Sequence, residues 1–277
     1  MFALVLLLTL NRVGASDPAD VIASDSEMGL FSCLGIILSL LYIAERLIHG
    51  RGRGKLALSK WALLAGSIAL SSLCWMMNYN GALTIALSVG MAVALFVLLS
   101  RRFGIWVGGI PALTMVVVIV VLVANNMAAH GSSQGILRFS SVTSTQAVTI
   151  QRMLDDAPTF GTGAGTYPRL YELYRAPGDG PLLLAATPLS AIAAIELGRA
   201  AFWGTVLAVV LLIGWLVICA VMRGRDWIYS TAAASGMCIA LALGFSQPLR
   251  LNLPTLAFIA IILGLGLAQS RSTRHDL

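Results

Sequence analysis

The sequence predicts an all-α membrane protein: a polytopic transmembrane helical bundle of about 7–8 spans, with one long extracytoplasmic loop that contains short helices. Three observations carry this expectation. Of 277 residues, 58% are hydrophobic and only 11% charged, with a mean hydropathy of +0.88, too little polar surface for a soluble domain of this length. Apolar runs recur near the roughly 20 residues that a helix needs to cross a bilayer. Basic residues gather in short clusters after alternate runs, which accounts for most of the net charge of +6 without a nucleic-acid partner.

In chain order, the runs lie at about 30–48, 61–77, 81–99, 105–124, 201–222, 227–245 and 253–268. Each is too long and unbroken for a strand, and in lipid every backbone polar group must be satisfied within its own segment, so all are expected to be helices. The opening MFALVLLLTLNRVGAS has a short apolar core and a signal-peptidase-like Val13-Gly14-Ala15, yet no basic residue precedes it. It reads either as a cleaved signal or as an eighth span or stub of a longer N-terminal region. The clusters Arg46/Arg51/Arg53/Lys55/Lys60, Arg101-Arg102, Arg223/Arg225 and Arg271/Arg274 all fall on one side if the spans alternate. That side is then the cytoplasm, with the C-terminus on it and the SDPADVIASDSE stretch outside. Three regions result: 1–125 with N-terminal transmembrane helices, a 126–200 periplasmic loop with a glycine-rich turn, and 201–277 with C-terminal transmembrane helices. Cys33, Cys74, Cys219 and Cys238 sit in apolar runs without ligand spacing, so they read as small packing residues; no metal site or cofactor is expected.

Loops as long as 126–200 are rarely without a function, and chemistry is expected there. Thr143-x-x-Gln146 is a candidate capping box, and Ala147, Ile150 and Leu154 follow at helical spacing, so 144–155 reads as an amphipathic helix with Arg152 on its polar side. Asp155 and Asp156 stand at its C-terminal end, where the helix dipole disfavours them, and call for a nearby partner or for water. Pro158 stops the helix. Gly161, Gly163 and Gly165 then permit backbone conformations closed to other residues. They do not form a nucleotide loop, because Thr166 stands where a third fingerprint glycine belongs and no Lys-Ser/Thr pair follows. Pro168 suits the first turn of a second helix, which carries Tyr167, Leu170, Tyr171 and Tyr174 on one face and Arg169 and Arg175 elsewhere.

Guanidinium groups bind phosphate in planar, bidentate fashion, and tyrosines offer flat amphipathic surfaces to sugars. Arg152, Arg169, Arg175, Tyr171, Tyr174, Gly161, Gly163 and Gly165 are therefore the candidate substrate-binding residues. In the plainer alternative, the tyrosines form an interfacial belt, the arginines meet anionic headgroups, and the glycines make a tight turn between short helices.

The order of DDAPTFGTGAGTY, a gap, and AATPLSAIAAIELGRAAFWG leading into a span resembles the O-antigen ligase and O-antigen polymerase family of bacterial membrane glycosyltransferases. The likeness covers roughly 80–205 and, more loosely, the final spans, with Glu196-Leu197-Gly198 and Gly204 in the expected places. It implies metal-independent transfer or polymerisation of an undecaprenyl-diphosphate-linked glycan at the periplasmic face of the bacterial inner membrane, in surface-polysaccharide biosynthesis alongside polysaccharide-assembly proteins. The family's arginines are expected to hold the diphosphate, and its histidine to help the acceptor attack. Here the histidine position is Thr187, followed by Pro188; Tyr79-Asn80-Gly81 replaces a Ser-Arg-Gly element; and Thr143 stands where an arginine opens the first loop helix. His130 is the histidine left on the outer side. The catalytic residue is thus unassigned, and a catalytically degenerate member that binds the glycan or a partner enzyme, or an unrelated transporter, are the alternatives.

Overall fold

A computed structural model describes residues 18–49, 69, 71–72, 81–103, 144–175, 187–222, 227–246 and 253–271. Among these residues the chain is all-helical: α1 (Pro18–His49), α2 (Gly81–Phe103), α3 (Ser144–Asp156), α4 (Tyr167–Tyr174), α5 (Leu189–Glu196), α6 (Arg199–Met222), α7 (Trp227–Ser246) and α8 (Leu253–Arg271). Among the described residues, three stretches are long and apolar enough to cross a membrane: Leu83–Arg102, Arg199–Met222 and Trp227–Ser246. Shorter apolar stretches, Gly29–Ala44 and Leu256–Gln269, lie in α1 and α8. Of the other expected spans, 105–124 lies outside the described residues, as does 61–77 apart from 69, 71 and 72. The opening segment, His130 and Thr143 lie outside them too. Helix α1 begins twelve residues ahead of the expected 30, because the polar PADVIASDSEMG stretch, opened by Pro18, continues the same helix.

Helix α7 is the hub. It packs against α2, α6, α8 and α1, and Ser230, Thr231, Ala232, Ala233, Ala234 and Ser235 are all buried. Small side chains let neighbouring backbones approach closely where lipid supplies no hydrophobic drive between helices. The larger Ile239 and Leu243 fill the gap to Ile37 and Leu41 of α1 and to Leu83 and Ala86 of α2. Gly90 of α2 lies where these three helices converge; a Cβ there would stand 2.7 Å from both Ile239 and Ile37, so a larger residue would force the bundle apart. At one end of the bundle, Arg101 Nη1 donates to the Ala220 carbonyl at 3.1 Å, and its guanidinium lies 5.0 Å from the Trp227 ring centroid. One cation thereby ties the last turns of α2 and α6 to the first turn of α7.

A second, smaller core joins α3, α4 and α5 to the start of α6. Ile150, Met153 and Leu154 of α3 meet Tyr167 and Tyr171 of α4, Ala191, Ala194 and Ile195 of α5, and Phe202 of α6. The expected amphipathic helix over 144–155 is therefore present as α3, and its apolar face is buried against its two neighbours.

Candidate functional site

The glycine turn is built around the point where α5 stops and α6 begins. Gly161, Gly163 and Gly165 have φ of +78°, +99° and +75°, and Gly198, between α5 and α6, has φ of +85°. These are left-handed conformations that side-chain-bearing residues rarely adopt. Gly161 and Gly198 also press backbone to backbone. A Cβ on Gly161 would fall 2.5 Å from Gly198 N, and one on Gly198 would fall 2.5 Å from the Phe160 carbonyl carbon.

That approach lets the two segments share hydrogen bonds. The Thr162 N–H donates to Ile195 O (3.2 Å), the Gly163 N–H to Glu196 O (3.1 Å) and the Ala200 N–H to Thr159 O (3.3 Å). The last carbonyls of a helix lack intrahelical donors, and here the turn supplies them for α5. Within the turn, Gly161 N–H donates to Pro158 O (2.9 Å), Thr166 Oγ1 donates to Gly163 O (2.6 Å), and the Thr162 and Thr166 hydroxyls lie 2.6 Å apart. The N–H groups of residues 161–163 are thus committed inside the chain, whereas those of Ala164 and Gly165 have no backbone partner among the described residues.

Glu196 gives the second half of the junction. Its Oε1 accepts the Tyr167 N–H at 3.3 Å, placing a carboxylate from α5 at the N-terminus of α4, where the dipole is positive. The sequence treats ELG only as a landmark; in the fold, Glu196 and Gly198 are the structural partners of the turn. Arg199 is a further residue that sequence reasoning did not single out. It donates to Leu154 O at 2.6 Å and approaches Asp155 Oδ1 at 3.3 Å, so it supplies the cation that the acidic end of α3 calls for. An acidic pair at the wrong end of a helix was the available signal. Asp155 also accepts from Gln151 at 3.2 Å. Asp156 faces the Tyr174 phenol and raises its pKa, chiefly through a hydrogen bond that favours the protonated phenol.

The candidate binding residues divide. Arg152 and Arg169 are exposed and have neither an ion pair nor a hydrogen bond among the described residues. Arg175 is exposed and lies 3.5 Å from Glu172. Tyr171 was expected to offer its ring to a sugar, yet it is only 1% exposed and packs inside the small core. Tyr174 is half-buried at the edge of that core. Thr187 is buried as well, with the Tyr167 hydroxyl 3.4 Å away. Burial is the main cause of the rise in the Tyr167 pKa to about 12; the Thr187 hydrogen bond opposes it. Neither hydroxyl is placed to take a proton from an outside acceptor near neutral pH. Among the described residues, no three His, Cys, Asp or Glu side chains gather as a metal site.

Beside this junction runs a groove with a cavity volume of about 180 Å³ between α5, α6 and α7, lined by Leu189, Ala193, Phe202, Val206, Leu241 and Phe245 among others. The hydroxyls on its wall are Ser190, whose Oγ is buried, and Thr205, which donates to Ala201 O at 2.8 Å. The groove therefore presents hydrocarbon, while the arginines belong to the adjoining α3–turn–α4 unit.

Comparison of the chain with protein-family models, with curated proteins and with solved structures finds no match.

Proposed function

We propose that this protein engages an undecaprenyl-diphosphate-linked glycan at the outer face of a bacterial inner membrane and transfers or polymerises it in surface-polysaccharide assembly. The observation that carries the proposal is a narrow groove lined by hydrocarbon beside a helical unit with two exposed arginines, Arg152 and Arg169, that have no ion pair or hydrogen bond among the described residues. An amphiphile with a long apolar tail and a phosphorylated head matches both halves: hydrocarbon fills the groove, and guanidinium groups hold phosphate in planar pairs. Arg175, loosely engaged by Glu172, is a third available cation. The glycine turn contributes by fixing where α4 starts, and Ala164 and Gly165 offer two N–H groups, without a backbone partner among the described residues, for an anionic oxygen.

A second reading, binding without turnover, is favoured by Thr187. In the resembling family this position bears the histidine that assists the acceptor, whereas here it is a buried threonine facing Tyr167. One experiment separates the two. Purified protein in lipid nanodiscs is given radiolabelled undecaprenyl-diphosphate glycan and an acceptor, and both retained lipid and lengthened product are measured. Retention with product supports transfer, and retention alone supports the binding reading. No retention by wild type, or equal retention by an Arg152→Ala/Arg169→Ala double variant, removes the proposal.

A further inference from the structure

Phe160 stands at the tip of the glycine turn, and neither the small core nor the groove uses it. Its side chain is 86% exposed, the highest value for any large apolar side chain among the described residues. It cannot easily fold inward. The Thr159 carbonyl is bonded to Ala200 N–H, and Gly161 is wedged against Gly198 in a left-handed conformation, so the residues on both sides of Phe160 are fixed.

The position of this turn along α6 sets its depth. Helix α6 has 24 residues, which at ~1.5 Å per residue gives about 36 Å, slightly more than the ~30 Å of bilayer hydrocarbon. Its first residue, Arg199, therefore lies close to one boundary of the hydrocarbon, where a long cationic side chain keeps its charge among headgroups. Phe160 abuts Gly198, one residue before Arg199, and so shares that level. Leu197 and Trp203, 47% and 50% exposed, flank the same junction. Aromatic rings are enriched at this depth because their flat apolar bodies tolerate the mixed environment of headgroup and chain.

We propose that Phe160 is a membrane anchor, its ring inserted at the headgroup–acyl boundary of the leaflet where α6 begins. The partner is the bilayer surface itself. Insertion removes an isolated apolar ring from water and holds the rigid turn, with α3 and α4 attached, against the lipid. Arg152 and Arg169 are then kept within reach of anionic headgroup phosphates, the charge complement of two exposed guanidinium groups. The inference rests on α6 crossing the bilayer and not on the identity of any glycan, so either can fail alone.

The test places an environment-sensitive NBD fluorophore at Phe160→Cys in a background where Cys33, Cys74, Cys219 and Cys238 are alanine, reconstituted in phosphatidylcholine/phosphatidylglycerol vesicles. Ala164→Cys, in the exposed part of the same turn, is the aqueous reference, and Leu211→Cys on α6, 65% exposed, reports insertion. The label at 160 is expected to be quenched several-fold more by shallow nitroxide lipids, and several-fold less by aqueous iodide, than the label at 164. Equal iodide access at 160 and 164, with 211 quenched by deep nitroxide lipids, overturns the proposal. A second measurement uses the unmodified protein in vesicles containing a lipid with a headgroup-proximal diazirine. After photolysis and trypsin, adducts are expected on Phe160 within the Met153–Arg169 peptide. Their absence from that peptide while α6 peptides carry them also overturns it.

Discussion

Replacing Gly161 by alanine probes the junction most directly, because its cost has two separable parts. One is conformational: holding a side-chain-bearing residue at φ +78° costs about 1–3 kcal/mol. The other is steric, since the added Cβ would fall 2.5 Å from Gly198 N and against the Glu196 carbonyl, rigid backbone rather than a side chain that can swing away. Relief requires the turn to withdraw from the end of α5, which breaks the bonds from Thr162, Gly163 and Ala200. At ~0.5–1.5 kcal/mol net for each, these three add roughly 1.5–4.5 kcal/mol. Gly165→Ala isolates the first part, because Gly165 has φ +75° but nothing within 4 Å of a Cβ. The expected losses are therefore about 1–3 kcal/mol for Gly165→Ala and about 2.5–7.5 kcal/mol for Gly161→Ala. Both variants are compared with wild type by SDS unfolding in mixed micelles, with limited proteolysis to locate the opening. Equal losses for the two would refute the reasoning, because the close approach of the two glycines would then contribute nothing.

Three further outcomes are expected. Glu196→Ala removes the acceptor at the start of α4 and should cost about 1 kcal/mol; Glu196→Gln, which keeps an acceptor but not the charge, should recover part of it in the same unfolding assay. A double-mutant cycle on Asp155 and Arg199 should give a coupling of only ~0.2–1 kcal/mol, since both side chains are more than half exposed. Arg199→Ala alone should exceed that figure by also depriving Leu154 O of its donor. Alkali should loosen the small core. With the Tyr167 pKa raised to about 12 from 10, the stabilisation is complete below pH 10 and is lost as pH rises towards 12, on the order of 2–3 kcal/mol. Tyr167→Phe should abolish that alkaline loss, read as proteolytic susceptibility against pH.

Helix positions were legible in the sequence to within a few residues where the pattern is dense. The expected 201–222 and 227–245 runs became Arg199–Met222 and Trp227–Ser246, because unbroken apolar sequence leaves the backbone no alternative in lipid. The helix over 144–155 was equally plain from its 3.6-residue period. The separate short helix α5 was missed. Its run LSAIAAIE is nearly as apolar as the span that follows, and Gly198, with φ +85°, breaks the two apart.

The candidate site was legible by residue type but not by role. Exposed arginines announce themselves on a polar helical face, as Arg152 did. Tyr171 did not: a tyrosine on a helix stripe looks the same whether the stripe meets a ligand or a neighbouring helix, and here it lies in the small core that also holds Ile150, Ala194 and Phe202.

Composition and local pattern, acting through the solvent, determined that this chain forms long apolar helices with a structured polar segment between them, since hydrophobicity and helical period depend on near neighbours in the chain. The pairing of residues 159–163 with 195–200, the carboxylate of Glu196 at the start of α4, and the grip of Arg199 on the end of α3 were decided only in three dimensions. Each joins backbone or charge more than 25 positions apart, and which carbonyl meets which N–H depends on how close two glycines let the backbones come. No spacing along the chain encodes that distance.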